Sequence, residues 1–219
     1  MADSITIVGA GPGLGAAMAQ RFAKGGWNVG LVARDQPVLD AGAAELESSG
    51  VTVATELADV SDEAAVDGAL RSIHDALGGL GVVVYNASIF QKEPALELST
   101  DALTLAFKVH VLGALNTAKS AVALMQPAGA GTLVFTINCL ALHPEAASTA
   151  LSIGKGAQHN LALSLELELV DTGIHVAIVT ITQPIAAGTA FDPVNIAELY
   201  WNIAQQPADR FERDHVFNG

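Results

Sequence analysis

Residues 4–34 limit the possible folds more than any other part of the chain. An apolar, β-branched run at residues 5–8 stops at four glycines within seven positions, Gly9, Gly11, Gly13 and Gly15. Apolar residues at helical spacing follow, Met18, Phe22 and Ala23, and a second apolar run at residues 29–32 closes a βαβ unit. Glycines in such a turn let the backbone approach a pyrophosphate, while the first turn of the helix aims free N–H groups and the positive end of its dipole at the phosphates. A glycine motif alone says little. Set between a strand and a helix inside a βαβ unit, it predicts a dinucleotide site.

The remaining chain repeats the alternation. Residues 36–49 place Val38, Leu39 and Leu46 on a sparse apolar face that Ser49-Gly50 ends, and residues 51–57 read as a third strand. Ser61 is the expected N-cap, with Asp62 and Glu63 in the first turn, of a helix through Val66, Leu70, Ile73 and Leu77. The wholly apolar Val-Val-Val-Tyr at 82–85 suits a strand covered on both faces. Residues 100–125 form one long helix by the recurrence of Leu103, Phe107, His110, Val111, Ala114 and Ala118. A fifth strand at 132–137, a helix at 150–170 and a sixth strand at 174–181 complete the series. After an irregular loop at 182–192, Asp192-Pro193 opens a last helix through Tyr200 and Trp201, expected to pack at an interface or lid, and residues 215–217 add an edge strand. The expectation is an α/β fold, a single Rossmann-like domain over residues 1–219. Its doubly wound parallel sheet has six to seven strands, helices on both faces, and ligands beyond the strands' carboxyl ends.

Composition narrows the function. Ten basic against 23 acidic residues give a net charge of −13, which repels nucleic acid and anionic membrane. A mean hydropathy of +0.41 comes from alanine and valine in short runs, each broken by charge before a membrane span accumulates. The single cysteine, Cys139, rules out an internal disulfide, and Met-Ala-Asp-Ser lacks the basic and apolar parts of a secretory signal, so a cytoplasmic protein is expected. No His or Cys pair stands at metal-ligand spacing, and no metal is expected.

Over nearly its whole length the chain resembles the short-chain dehydrogenase/reductase family. Its opening Thr-Gly-x-x-x-Gly-x-Gly is matched by Val8, Gly9, Gly13, Leu14 and Gly15, with Gly11 inside the turn. Its Asp-Val that touches adenine corresponds to Asp59-Val60, and its Asn-Asn-Ala-Gly to Tyr85-Asn86-Ala87-Ser88. The resemblance implies a bound nicotinamide dinucleotide. Where an NAD-specific unit places an acid at the end of the second strand, this chain has Ala33-Arg34, and a guanidinium suits a 2′-phosphate. The cofactor expected is therefore NADP, with NAD as the alternative.

The family's catalytic Asn, Ser, Tyr and Lys fall at His110, Asn138, Leu151 and Lys155, so only the lysine is kept. The Pro-Gly after the sixth strand is Ile181-Thr182 here. Hydride transfer to a ketone leaves an alkoxide that needs stabilisation and a proton, and the family's phenol supplies both. Leucine supplies neither. By the resemblance Asn138 could offer an amide donor to a carbonyl oxygen, His110 a proton through water, and Lys155 a contact to ribose hydroxyls. Each also has a plainer reading: His110 as a packing residue, Lys155 as a cofactor binder only. Cys139 and His143 follow the fifth strand, where they could line the pocket.

Two functions stay open from these residues. One is an atypical NADP-dependent oxidoreductase acting on a small carbonyl compound or activated double bond. The other is a catalytically silent dinucleotide-binding protein, a redox sensor or assembly subunit, and a lyase or isomerase reusing the pocket is a weaker third. The family's helices after strands four and five pair across a twofold axis. Both are rich in Ala and Leu here, so a homodimer or homotetramer is expected.

Overall fold

The structure, a computed structural model, describes residues 2–219. Seven strands form one parallel sheet in the order β3-β2-β1-β4-β5-β6-β7. In chain order the elements are β1 (Ser4–Val8), α1 (Leu14–Lys24), β2 (Asn28–Ala33), α2 (Gln36–Leu46), β3 (Val53–Leu57), α3 (Glu63–Leu77) and β4 (Val82–Tyr85). They continue with α4 (Thr100–Phe107), α5 (Gly113–Met125), β5 (Gly131–Asn138), α6 (Thr149–Glu168), β6 (Ile174–Ile181), α7 (Pro193–Ala204) and β7 (Asp214–Phe217). The strand order reverses between β1 and β4. In a doubly wound sheet the chain therefore leaves these two strands to opposite sides and opens a crevice at their carboxyl ends.

Strand side chains alternate between two cores. Ile5, Ile7, Val29, Leu31, Val82 and Val84 pack against α1, α2 and α7, while Val8, Val32, Val83, Tyr85, Leu133 and Phe135 pack against α3, α5 and α6. Burial on both faces explains why these strands read as mostly apolar runs.

Tyr200 and Trp201 correct an expectation. Neither sits at a lid. Tyr200 is buried with its hydroxyl 2.7 Å from Thr136 Oγ1 on β5. Trp201 makes edge contacts with Phe22 and Trp27, at centroid distances of 5.2 and 5.6 Å. A β-carbon at Gly25 would lie 2.3 Å from the Trp201 ring, so the glycine that ends α1 also makes room for the indole.

Two local details also differ from the sequence expectation. The cap of α3 is Asp62, whose carboxylate accepts from Ala64 and Ala65 N–H, because Ser61 is engaged with Asp59 instead. The helix expected at 100–125 is interrupted by a π-helical turn at Lys108–Leu112, in which Gly113 N–H donates to Lys108 O five residues back. A π-turn leaves a carbonyl without its usual partner. Here the Tyr85 hydroxyl donates to Val109 O and supplies it. That contact needs Gly113, where a β-carbon would lie 2.3 Å from the Tyr85 oxygen.

Candidate functional site

At the sheet reversal, Gly9 and Ala10 N–H both donate to Val32 O at 2.9 and 3.0 Å, tying β1 to β2. Asn86 N–H donates to Val8 O at 2.8 Å and its side-chain amide to Gly9 O at 3.0 Å, tying β4 to the same turn. Gly9 has φ +93°, and a β-carbon there would lie 2.4 Å from Ala87 N. No other residue fits. Gly15 packs closely too, a β-carbon reaching 3.1 Å from Ala10 Cα. Gly11 and Gly13 differ: a β-carbon at either would meet nothing within 4 Å. These two glycines leave space open above the turn.

The amino end of α1 borders that space. Its cap is Gly13, which has no side chain to accept from the first amides, and no acid lies in the first turn. Asp62, Ser99 and Asp192 perform that duty for α3, α4 and α7. Ala16 N–H donates back to Gly11 O at 2.9 Å, and an amino end without side-chain cap or acid, at the positive pole of the dipole, suits an anion.

From the turn a groove of about 350 Å³ runs over the carboxyl ends of β1, β2 and β4. It gathers Gly9, Gly11, Arg34, Asp59, Val60, Asn86 and Ala87 from the expected cofactor set. Gly13 caps α1, Leu14 is buried beneath the turn, and Gly15 faces the neighbouring crevice between α1 and α2. Hydrogen bonds from Ser61 N–H and Oγ, both at 2.8 Å, hold the Asp59 carboxyl below the usual carboxylate range, with lesser help from Arg34. The acid is therefore ionised at neutral pH and rigidly placed. Arg34 and Asp35 enter the groove side by side.

The expected catalytic residues are arranged otherwise. His110, at the π-turn, is wholly buried, and Nε2 lies 3.2 Å from Ile89 O. Facing a carbonyl, Nε2 carries the proton, which leaves Nδ1 a bare acceptor. Nδ1 has no partner among the described residues. Desolvation, then the nearby Lys155 charge, push the imidazole down to about 3. It is neutral at physiological pH, with its Nε2 proton directed at the Ile89 carbonyl. A β-carbon at Gly154 would lie 2.6 Å from the ring, so α6 closes on the histidine through a glycine.

Lys155 does not reach the groove. It is 3 % exposed, and Nζ donates to Thr136 O at 2.8 Å and to Gln158 Oε1 at 2.9 Å. Burial with no carboxylate against it lowers the ammonium to about 7. Leu151 is 5 % exposed, one turn before Lys155 on α6. Asn138 ends β5, and its Oδ1 is buried without a partner among the described residues. The two tyrosine hydroxyls are spent on Val109 O and Thr136, and burial pushes both phenols above their ordinary range. Cys139 donates through Sγ to Thr182 O at 3.3 Å. No group of three His, Cys, Asp or Glu suited to a metal occurs among the described residues. No described helix is long and apolar enough to cross a membrane. Sequence reasoning missed Gln158, Gly154 and Gly113. A polar residue three positions after Lys155 on an otherwise apolar helical face was the one signal available for Gln158.

Comparison with known proteins agrees with this geometry. A family profile described as short chain dehydrogenase matches residues 3–190. An uncharacterized oxidoreductase of Staphylococcus aureus (strain N315) is 28 % identical over 217 residues, covering 94 % of this chain and 93 % of that one. A short-chain dehydrogenase from Rhodopseudomonas palustris superimposes with a TM-score of 0.90 at 24 % identity, covering 99 % of this chain and 98 % of that one. A metagenomic short-chain oxidoreductase crystallised with NADP does so at 0.89 and 22 %, covering 99 % and 97 %.

The buried imidazole gives a signed pH dependence. His110 is lowered in the folded state to about 3, against about 6.5 for a free histidine. Between these values the unfolded chain binds more protons, so the unfolding free energy rises with pH across this window. Above about 6.5 the contribution is constant. Urea unfolding from pH 4 to 7 should show a steeper rise in the wild type than in His110→Asn, which cannot titrate. Parallel pH profiles would contradict this placement of His110.

Proposed function

Because the chain belongs to the short-chain dehydrogenase family, we propose that it is an oxidoreductase holding NADP, or less tightly NAD, in the groove above the glycine turn. The observation that carries this reading is the turn itself. Gly11 and Gly13 leave open space beside an α1 amino end that has neither side-chain cap nor acid. Those backbone amides suit a pyrophosphate, Asp59-Val60 an adenine, and Asn86-Ala87 the central part of a dinucleotide. Arg34 at the groove suits a 2′-phosphate, and similar solved folds are crystallised with either NADP or NAD. When bound, a nicotinamide dinucleotide supplies or accepts a hydride.

The chain's own residues would bind and orient a small carbonyl compound or activated double bond. Asn138, at the end of β5, is the polar side chain best placed by the family register to meet a substrate oxygen, which it would do through its Nδ2 donor, since Oδ1 can only accept. Leu151 provides an apolar wall where the family has its acid. Loss of a positioned acid costs about 10²- to 10⁴-fold, while positioning against the dinucleotide still contributes several kcal/mol. A second reading, a catalytically silent dinucleotide binder, is favoured by the inward-turned Lys155 and the neutral His110. Exposed Leu105, Phe107, Leu112 and Ile153 on the α4 to α6 side support a homodimer or homotetramer. The cytoplasm is the proposed compartment.

Fluorescence titration with both nucleotides tests the cofactor. Arg34→Ala should weaken NADPH by about tenfold, the loss of one charge-assisted phosphate contact, and leave NADH nearly unchanged. Equal losses, or none, would remove the NADP preference. Substrate-dependent NADPH oxidation over aldehydes, ketones, quinones and enones separates the two readings: turnover on any of them supports the enzyme, and none on all four classes supports the silent binder. Light scattering at micromolar concentration should give twice or four times the chain mass; a monomer would refute the assembly.

A further inference from the structure

The ammonium of Lys155 has two acceptors, and both belong to one small arrangement. Thr136 lies one residue beyond Phe135, the last β5 residue paired with β4, so its carbonyl faces the gap where β4 has turned away. Into that gap Lys155 Nζ donates at 2.8 Å and Gln158 Nε2 at 3.4 Å. Gln158 Oε1 then accepts from Nζ at 2.9 Å, closing a ring of hydrogen bonds.

Gln158 itself is 0 % exposed on α6. A buried primary amide is costly unless both ends are paired. Here one end accepts from the lysine and the other donates to the strand. Reversing the amide would set N–H₂ against the ammonium, donor against donor, so the partners fix its orientation. Residues three apart on a helix share a face, which puts Gln158 alongside the lysine stem. With an apolar residue at this position, the ammonium would keep a single acceptor in the core. Its flexible four-carbon stem could then carry it toward polar partners in the groove.

We infer that Gln158 is a positioning residue that holds the Lys155 ammonium out of the dinucleotide groove, so that the nucleotide is bound without the lysine. This rests on the dinucleotide reading above. The lysine that the family register would place against ribose hydroxyls instead pins α6 to β5.

Reductive methylation of the intact, nucleotide-free protein, read by peptide mass spectrometry, tests the latch without reference to activity. Lys155 should label at least tenfold more slowly than the exposed Lys119. Gln158→Leu should raise Lys155 labelling at least tenfold, while Gln158→Glu, which keeps an acceptor, should leave it protected. Gln158→Met replaces the leucine variant if that one fails to fold. Equal labelling of Lys155 and Lys119 in the wild type, or no change in the apolar variant, would overturn the inference. NADPH titration supplies a second readout. Lys155→Met should change the wild-type Kd less than twofold, yet weaken binding more than fivefold in the Gln158→Leu background. A tenfold loss from Lys155→Met in the wild type would overturn the latch. A wild type that bound no NADPH would remove the dinucleotide reading, and the labelling ratio would still decide the latch.

Discussion

The close approach of Gly9 to Ala87 is the constraint on which the carboxyl edge of the sheet depends. With a β-carbon 2.4 Å from Ala87 N, the turn after β1 and the turn after β4 could not meet. Because they do, Val32 O can accept from Gly9 and Ala10, Val8 O from Asn86, and Gly9 O from the Asn86 amide. Three strand ends are thereby fixed together, and the groove has rigid walls. Precise backbone placement matters here because anion binding by helix amides relies on where N–H groups point, and the point of reversal in the strand order is where a doubly wound sheet opens to ligand.

Across the groove the chemistry changes character. The end formed by the glycine turn, Asp59 and Asn86 keeps a helix amino end without side-chain cap, an ionised acid and open space. The end formed by the π-turn, β5 and α6 has these side chains buried: His110 neutral, Lys155 turned to Thr136 O, Leu151 against the interior. Burial without a carboxylate partner favours the uncharged form of each base. Polar groups at this end hold elements together. The hydroxyl of Tyr85 completes the π-turn, and Gly154 lets α6 close on the imidazole.

Much of this was legible in the sequence, and what was not has identifiable causes. Strands buried on both faces leave mostly apolar, β-branched runs, so β1, β4, β5 and β6 could be read directly. The strand-glycine-helix order announced the turn, Arg34 followed from its place at the end of the second strand, and Asp59 and Asn86 from their match to motifs of the short-chain dehydrogenase/reductase family. The π-turn was hidden because apolar residues three and four apart continue through it, the spacing that an unbroken α-helix also shows. Asp62 and Ser61 are both good caps, and only the contact of Ser61 with Asp59 decides between them. The direction of Lys155 depends on a carbonyl exposed where β4 leaves β5, a tertiary feature with no local signature. Tyr200 and Trp201 read as interface or lid residues because their partners within the chain, Thr136, Phe22 and Trp27, are distant in sequence.

The central claim is that this chain keeps a working dinucleotide groove beside a reaction end without its general acid. It is tested most directly by restoring that acid, in the double variant Leu151→Tyr, Asn138→Ser, with folding checked by melting temperature and NADPH binding by fluorescence. The account predicts that ketone reduction rises at least tenfold over the wild type, the lower part of the range for a positioned acid. A folded, NADPH-binding variant with no gain on any carbonyl compound would contradict it.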